Sequence, residues 1–210
     1  MSPEHIQFVY FDLGNVLVSF DPDIACANVA RQFGVDIEQA RAVIYQSGLQ
    51  DAYEHGQVSS EQFADAVRRE LKRTIGQMPT QALLDATSDM FTPIESMVDI
   101  IQSVVDGGHR VGILSNTSHS HWDWIKRQNW SILTSAFEVE ILSYEVGVMK
   151  PDPRIYQAAQ TAAGVSPSSI LFLDDRTENV AGAIACGWQA SQCIGGPEAV
   201  EVLRQFGVLA

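Results

Sequence analysis

The sequence predicts an α/β fold, a parallel sheet covered by helices on both faces, with a small helical insert after the first strand. Two patterns carry that prediction. From about Ile94 onward, runs of β-branched and aromatic residues alternate with segments whose apolar residues recur at a 3.6-residue period. Between Asp21 and Met90 the pattern is helical, with no convincing strand. A chain of 210 residues, 46% hydrophobic and 19% charged, can bury a sizeable core and suits one large domain or one domain carrying an insertion.

The elements follow in chain order. Ile6 to Phe11 reads IQFVYF and stops at the loop signal Asp12-Leu13-Gly14-Asn15, as a buried first strand should. Asp21-Pro22 is an N-cap followed by proline at the first helical position, and Ser59 with Gln62 forms a capping box before Phe63 and Val67. Turn signals at Gly34, Gly48, Gly56 and Gly76 to Pro79 divide the insert into several helices. A helix then runs from Ile94 to the stop at Gly107-Gly108, followed by a strand, Arg110 to Leu114. Beyond it come a helix at Trp122 to Gln128, a strand at Phe137 to Leu142 and a helix from Asp152 to Gly164. The strand Ile170 to Leu173, a helix from Glu178 to Cys186, the segment Trp188 to Cys193 and a last helix complete the chain. The expected division is a core of residues 1–20 and 91–210 and an insert of residues 21–90.

Composition excludes several functions. Twenty-six acidic against 13 basic residues give a formal charge of -13, which repels nucleic acid and anionic membranes unless basic residues cluster. The nearest cluster, Arg68, Arg69, Lys72 and Arg73, falls at helical spacing and reads as a solvated helix face. Three cysteines, Cys26, Cys186 and Cys193, form no CxxC pair and suggest neither zinc nor a disulfide framework. The N-terminal Met1 to His5 lacks a basic n-region and signal h-region, so the expectation is a cytoplasmic protein whose mature chain starts at Met1.

In parallel sheets, ligands bind beyond the carboxyl ends of the strands. Here those ends carry Asp12, then Ser115-Asn116-Thr117, then Lys150-Pro151, then Asp174-Asp175. Singly, each has an ordinary use as turn former, cap or solvated surface residue. Together they suit phosphoryl transfer. An aspartate with an ordinary pKa of about 3.9 is ionised at neutral pH and can attack phosphorus without an activating base. Its obstacle is repulsion, about 5 kcal/mol for two negative charges ~3.5 Å apart at an effective dielectric of 20. Mg²⁺ bridging Asp12 and the acidic pair would offset it, with Lys150 supplying a second positive charge and Ser115 and Asn116 bonding the equatorial oxygens.

These motifs resemble the haloacid dehalogenase (HAD) superfamily of hydrolases: FDLGNVL at Phe11 to Leu17, ILSNT at Ile113 to Thr117, VMKPDPRIY at Val148 to Tyr156, and LFLDD at Leu171 to Asp175 with Asn179 following. The resemblance spans the chain and implies a Rossmann-like core with the insert as a cap over the site. It further implies that Asp12 is a nucleophile forming an aspartyl-phosphate, that the Gly14 carbonyl and Asp175 ligate Mg²⁺, that Asp174 acts through a coordinated water, and that Ser115 and Lys150 bind phosphate. Tyr53-Glu54-His55-Gly56 is a candidate for substrate contact, with a helix end and turn as the preferred reading.

Most HAD phosphatases carry an acid–base aspartate two positions after the nucleophile, where this chain has Gly14. The pattern is most similar to a bacterial subgroup acting on sugar phosphates such as glucose 1-phosphate, whose anomeric leaving oxygen needs less protonation. His121 is the nearest replacement acid along the chain. The expected partner is therefore a small phosphorylated metabolite. Three other readings stay open. A 2-haloacid dehalogenase would use no metal, and the Asp174-Asp175 pair argues against it. A receiver-type phosphoacceptor would place its acidic pair after the first strand. A catalytically weak relative acting as a binding protein is suggested by Gly14.

Overall fold

Packing on both sides explains the uninterrupted apolar first strand. In the computed structural model, which describes residues 5–133 and 137–210, β1 (Phe8–Phe11) is buried throughout. The expected core segment's residues 1–4 lie outside the described residues. Phe8 and Tyr10 point into one apolar cluster and Val9 and Phe11 into another, so the two-residue period of a strand feeds both faces. At about 1.5–3 kcal/mol for each fully buried large apolar side chain, these four residues anchor the sheet.

β2 (Val18–Phe20) follows directly, and the helical segment begins behind it. α1 (Pro22–Phe33) starts as expected, with the Asp21 side chain accepting from the Asp23 N–H, and ends at Gly34 in the left-handed region, φ 61°. α2 (Ile37–Arg41), a π-helical turn over Ala42–Gln46, α3 (Leu49–Glu54), α4 (Ser60–Glu70) and α5 (Thr80–Ser88) complete it. The capping box at Ser59 and Gln62 is formed in both directions. A separate cluster, including Val29, Ile44, Phe63, Val67 and Leu83, packs these helices together. One expectation fails: Arg68 does not lie on a solvated face but is buried, donating to Met78 O, Thr80 Oγ1 and Asp65 Oδ1.

β3 (Phe91–Pro93) returns the chain to the sheet and pairs antiparallel with β2, Phe20 opposite Phe91 and Val18 opposite Pro93. The sequence predicts neither strand, because three residues are too few to show a period. α6 (Ser96–Asp106), β4 (Arg110–Ser115), α7 (His119–Arg127), β5 (Phe137–Leu142), the short α8 (Ser143–Val146), α9 (Pro153–Ala163), β6 (Ile170–Asp174), α10 (Thr177–Ala185), β7 (Gln189–Gln192) and α11 (Pro197–Gln205) match the alternation read from sequence, except that α8 falls in the segment read as the loop carrying Lys150-Pro151. The main sheet is parallel throughout, in the order β5-β4-β1-β6-β7. The chain works outward from β1 on one side, then crosses to the other, so the topological switch point lies between β1 and β6. The three cysteines are free, and among the described residues no helix is long and apolar enough to cross a membrane.

Candidate active site

Strand register brings the polar residues together. Phe11 pairs with Leu173, and the Asp12 N–H donates to Leu173 O at 2.9 Å, which seats Asp12 beside Asp174 at the switch point. Asp12 Oδ1 accepts from the Leu13 N–H at 2.7 Å and lies 2.8 Å from Lys150 Nζ. The same ammonium reaches Asp174 Oδ2 at 2.6 Å and donates to Leu114 O at 2.9 Å, so its three N–H donors tie the ends of β1, β4 and β6. Both Lys150 and Asp174 are buried.

Asp174 is saturated by protein donors. Oδ1 accepts from the Arg176 N–H and Asn179 Nδ2, and Oδ2 from Lys150 and Asn179. Asp175 is more open, its Oδ2 accepting from Asn15 Nδ2 at 2.8 Å. Asp12, Asp174 and Asp175 each offer an oxygen within 4.8 Å of the others. Three carboxylates against one ammonium leave an excess of negative charge, and an all-oxygen donor set of this kind fits a hard divalent cation such as Mg²⁺.

The burial revises one expectation. Desolvation pushes the Asp12 carboxyl up to about 7, with Lys150 pulling it down and Asp174 pushing it further up, so the ordinary value near 3.9 does not apply to the protein alone. Burial pulls Lys150 down, but Asp12 and Asp174 outweigh it and hold the ammonium above its usual range.

Ser115, 2% exposed at the end of β4, has among the described residues a single long 3.4 Å hydroxyl contact, with Asn116 O, and lines the cavity in front of Asp12. The Asn116 side chain is committed differently from the expectation. Its Nδ2 donates to Lys150 O and its Oδ1 accepts from the Lys150 N–H, so it holds Lys150 in place rather than extending to a phosphate oxygen.

The cavity, about 290 Å³, lies between the sheet edge and the helical segment. Gly14 lines it beside Phe20, and a Cβ at Gly14 would sit 2.8 Å from Phe20 Cε1, so the ring takes the space a side chain would need. His121 lines it too but is buried edge-on to Phe91, and desolvation pulls its imidazole down to about 4. It is therefore the neutral imidazole at neutral pH rather than the imidazolium acid expected of it; His119 is the exposed member of the pair.

Tyr53 to Gly56 is a helix end and turn, as preferred, and also a docking point. The Ser120 N–H donates to Tyr53 Oη at 3.1 Å, and Gly56, at φ 69°, packs so closely on the Tyr144 carbonyl that a Cβ would lie 2.2 Å from its oxygen. Glu54 faces the cavity, accepting from Gln50 Nε2 at 2.9 Å. Sequence reasoning misses Asn15, Phe20 and Gln50. Asn15 carries a signal: at φ 56° it occupies a turn position that asparagine tolerates, three residues after Asp12.

Fold and site together define a class, an α/β protein with its polar groups gathered at the switch point of a parallel sheet. The chain belongs to the haloacid dehalogenase-like hydrolase family, whose model matches residues 6–187. It is 32% identical over 197 residues to phosphatase MT3486 of Mycobacterium tuberculosis, covering 88% of this chain and 86% of that protein. It is 26% identical over 181 residues to the D-ribitol-5-phosphate phosphatase of Bacteroides thetaiotaomicron, covering 83% and 85%. A HAD family enzyme from Bacteroides thetaiotaomicron, solved with magnesium and inorganic phosphate, shares the fold at TM-score 0.81 and 24% identity, covering 95% of this chain and 100% of that one.

Proposed function

We propose that the protein is a Mg²⁺-dependent phosphatase that hydrolyses a small phosphorylated metabolite, with a sugar phosphate such as glucose 1-phosphate the first candidate, through an aspartyl-phosphate on Asp12. The observation that carries this reading is the buried Asp12–Lys150–Asp174 bridge opening onto a small cavity beside Asp175. Asp12, Asp175 and the Gly14 carbonyl would hold Mg²⁺, with Asp174 behind them. When bound, the ion supplies positive charge to the phosphoryl oxygens and to the Asp12 carboxylate.

The chain's own residues do the rest. Lys150 fixes Asp12 Oδ1 and adds a second positive charge beside the phosphoryl group, while the Ser115 hydroxyl is free to donate to an equatorial oxygen. Attack by Asp12 on phosphorus forms the acyl phosphate, which water then hydrolyses. Residues 21–90 serve as a cap, and Gln50 offers its side-chain oxygen to substrate hydroxyls. The names of the two curated relatives support phosphatase chemistry, and one of them supports a polyol or sugar phosphate.

A panel of phosphate esters with Mg²⁺, chelator and an Asp12→Asn control tests the reading. Sustained, chelator-sensitive phosphate release that Asp12→Asn abolishes is expected, with sugar phosphates leading. Metal-independent release of halide from 2-chloropropionate would point to a dehalogenase instead, and a single stoichiometric release of phosphate to a binding protein.

A further inference from the structure

Resting on the phosphatase reading, we infer that Glu54, delivered over the cavity by the helical insert, exchanges a proton with the leaving oxygen and then with the hydrolytic water. Position 14 leaves a gap: it has no side chain, and Phe20 fills the space a carboxylate there would occupy. The proton must come from another group lining the same cavity.

Few candidates remain. Asp12 and Asp175 are committed to the phosphoryl group and the cation, and the three donors of Lys150 are committed to Asp12, Asp174 and Leu114 O. His121 is neutral, Arg176 is paired with Glu178, and Tyr45, engaged with Met90 Sδ at 3.7 Å, is driven far above its usual range by burial. Among the described residues, Glu54 is the remaining carboxyl on the cavity wall.

Its position is built rather than incidental. The Ser143 hydroxyl lies 2.6 Å from Glu54 O and 3.0 Å from Thr117 O, while it accepts from the Thr117 N–H at 3.0 Å. The backbone of Glu54 is thus tied, through Ser143, to Thr117 in the loop that follows Ser115. Gln50, itself buried, donates to Oε1 and sets the carboxyl's orientation, leaving Oε2 for substrate. The charged and titratable groups around it are Asp51 and His55 on its own element, Tyr45 on the π-helical turn and Arg176 from the core. Burial outweighs the pull of the Gln50 bond and holds Glu54 near 7, where it can be acid and base in turn.

The protons balance. As an Asp12 oxygen bonds to phosphorus and the bond to the leaving oxygen breaks, protonated Glu54 gives that oxygen its proton, yielding the alcohol and a Glu54 carboxylate. Water then attacks phosphorus, losing a proton to Glu54 as the bond from phosphorus to Asp12 breaks. Phosphate, ionised Asp12 and protonated Glu54 result.

Glu54→Gln, close to isosteric, separates this role from a structural one. For a sugar or alkyl phosphate, kcat/KM should fall about 10²- to 10⁴-fold. For p-nitrophenyl phosphate, whose leaving group needs no proton, kcat/KM should stay within a few-fold while kcat falls and a burst of nitrophenolate appears. Equal losses of kcat/KM on both substrates, or no loss on either, would overturn the proposal. Should the variant not fold, the wild type still decides: a shallow dependence of kcat/KM on leaving-group basicity is expected, and a steep one contradicts it. Failure of the phosphatase reading is distinguishable, because it would show as absent wild-type turnover.

Discussion

Lys150 illustrates how much one residue carries. Its ammonium sits between two buried carboxylates, and removing one partner of a buried ionic cluster leaves uncompensated charge. Lys150→Met should abolish turnover and cost about 3–5 kcal/mol in urea unfolding at neutral pH. His121 makes a pH prediction. Its folded-state pKa lies near 4, below the ordinary 6.5, so its contribution is present above pH 6.5 and lost as pH falls toward 4. That contribution is on the order of 3 kcal/mol, and His121→Gln should flatten the acid limb of stability measured between pH 7 and 4. The convergence of Asp12, Lys150 and the acidic pair could be read in the sequence because their positions after the strands are fixed by topology. What could not be read was which partner each side chain chooses. Asn116 turned to the Lys150 backbone, Arg68 turned inward, and His121 was buried, all outcomes of tertiary packing invisible to local pattern.

Among elements, the α3 end is the one whose significance the sequence hid. A helix terminus with Gly56 reads as a turn, and it is one, but the same glycine lets the insert press against the Tyr144 carbonyl while Tyr53 and Glu54 bond to the core. Gly56→Ala would strain a positive φ and drive a methyl into that carbonyl. We expect it to lower stability by about 1–3 kcal/mol and to raise KM more than it lowers kcat, as steady-state kinetics beside thermal unfolding would reveal. The long elements were legible through capping boxes, glycine stops and apolar periods. β2 and β3 were not, since three-residue strands are specified by each other and by the ring contact of Phe20 with Phe91.

For the whole molecule, the order β5-β4-β1-β6-β7 explains why four motifs far apart in the chain meet. The switch point between β1 and β6 opens a crevice, and Tyr45, Gln50 and Glu54 of the helical segment line the same cavity. Alternating strands and helices foretold the sheet but not these contacts, because docking between helices of the insert and loops of the core leaves no periodic trace. The excess of carboxylate over ammonium at the crevice ties the proposed activity of the whole assembly to a divalent cation. Covalent chemistry at Asp12 is the central claim. Acid quenching during turnover of p-nitrophenyl phosphate with Mg²⁺, followed by peptide mass spectrometry, should find one phosphoryl group on the peptide containing Asp12, sensitive to hydroxylamine and absent in Asp12→Asn. Sustained turnover with that peptide unmodified at every quench time, or with the phosphoryl group on another residue, would contradict it.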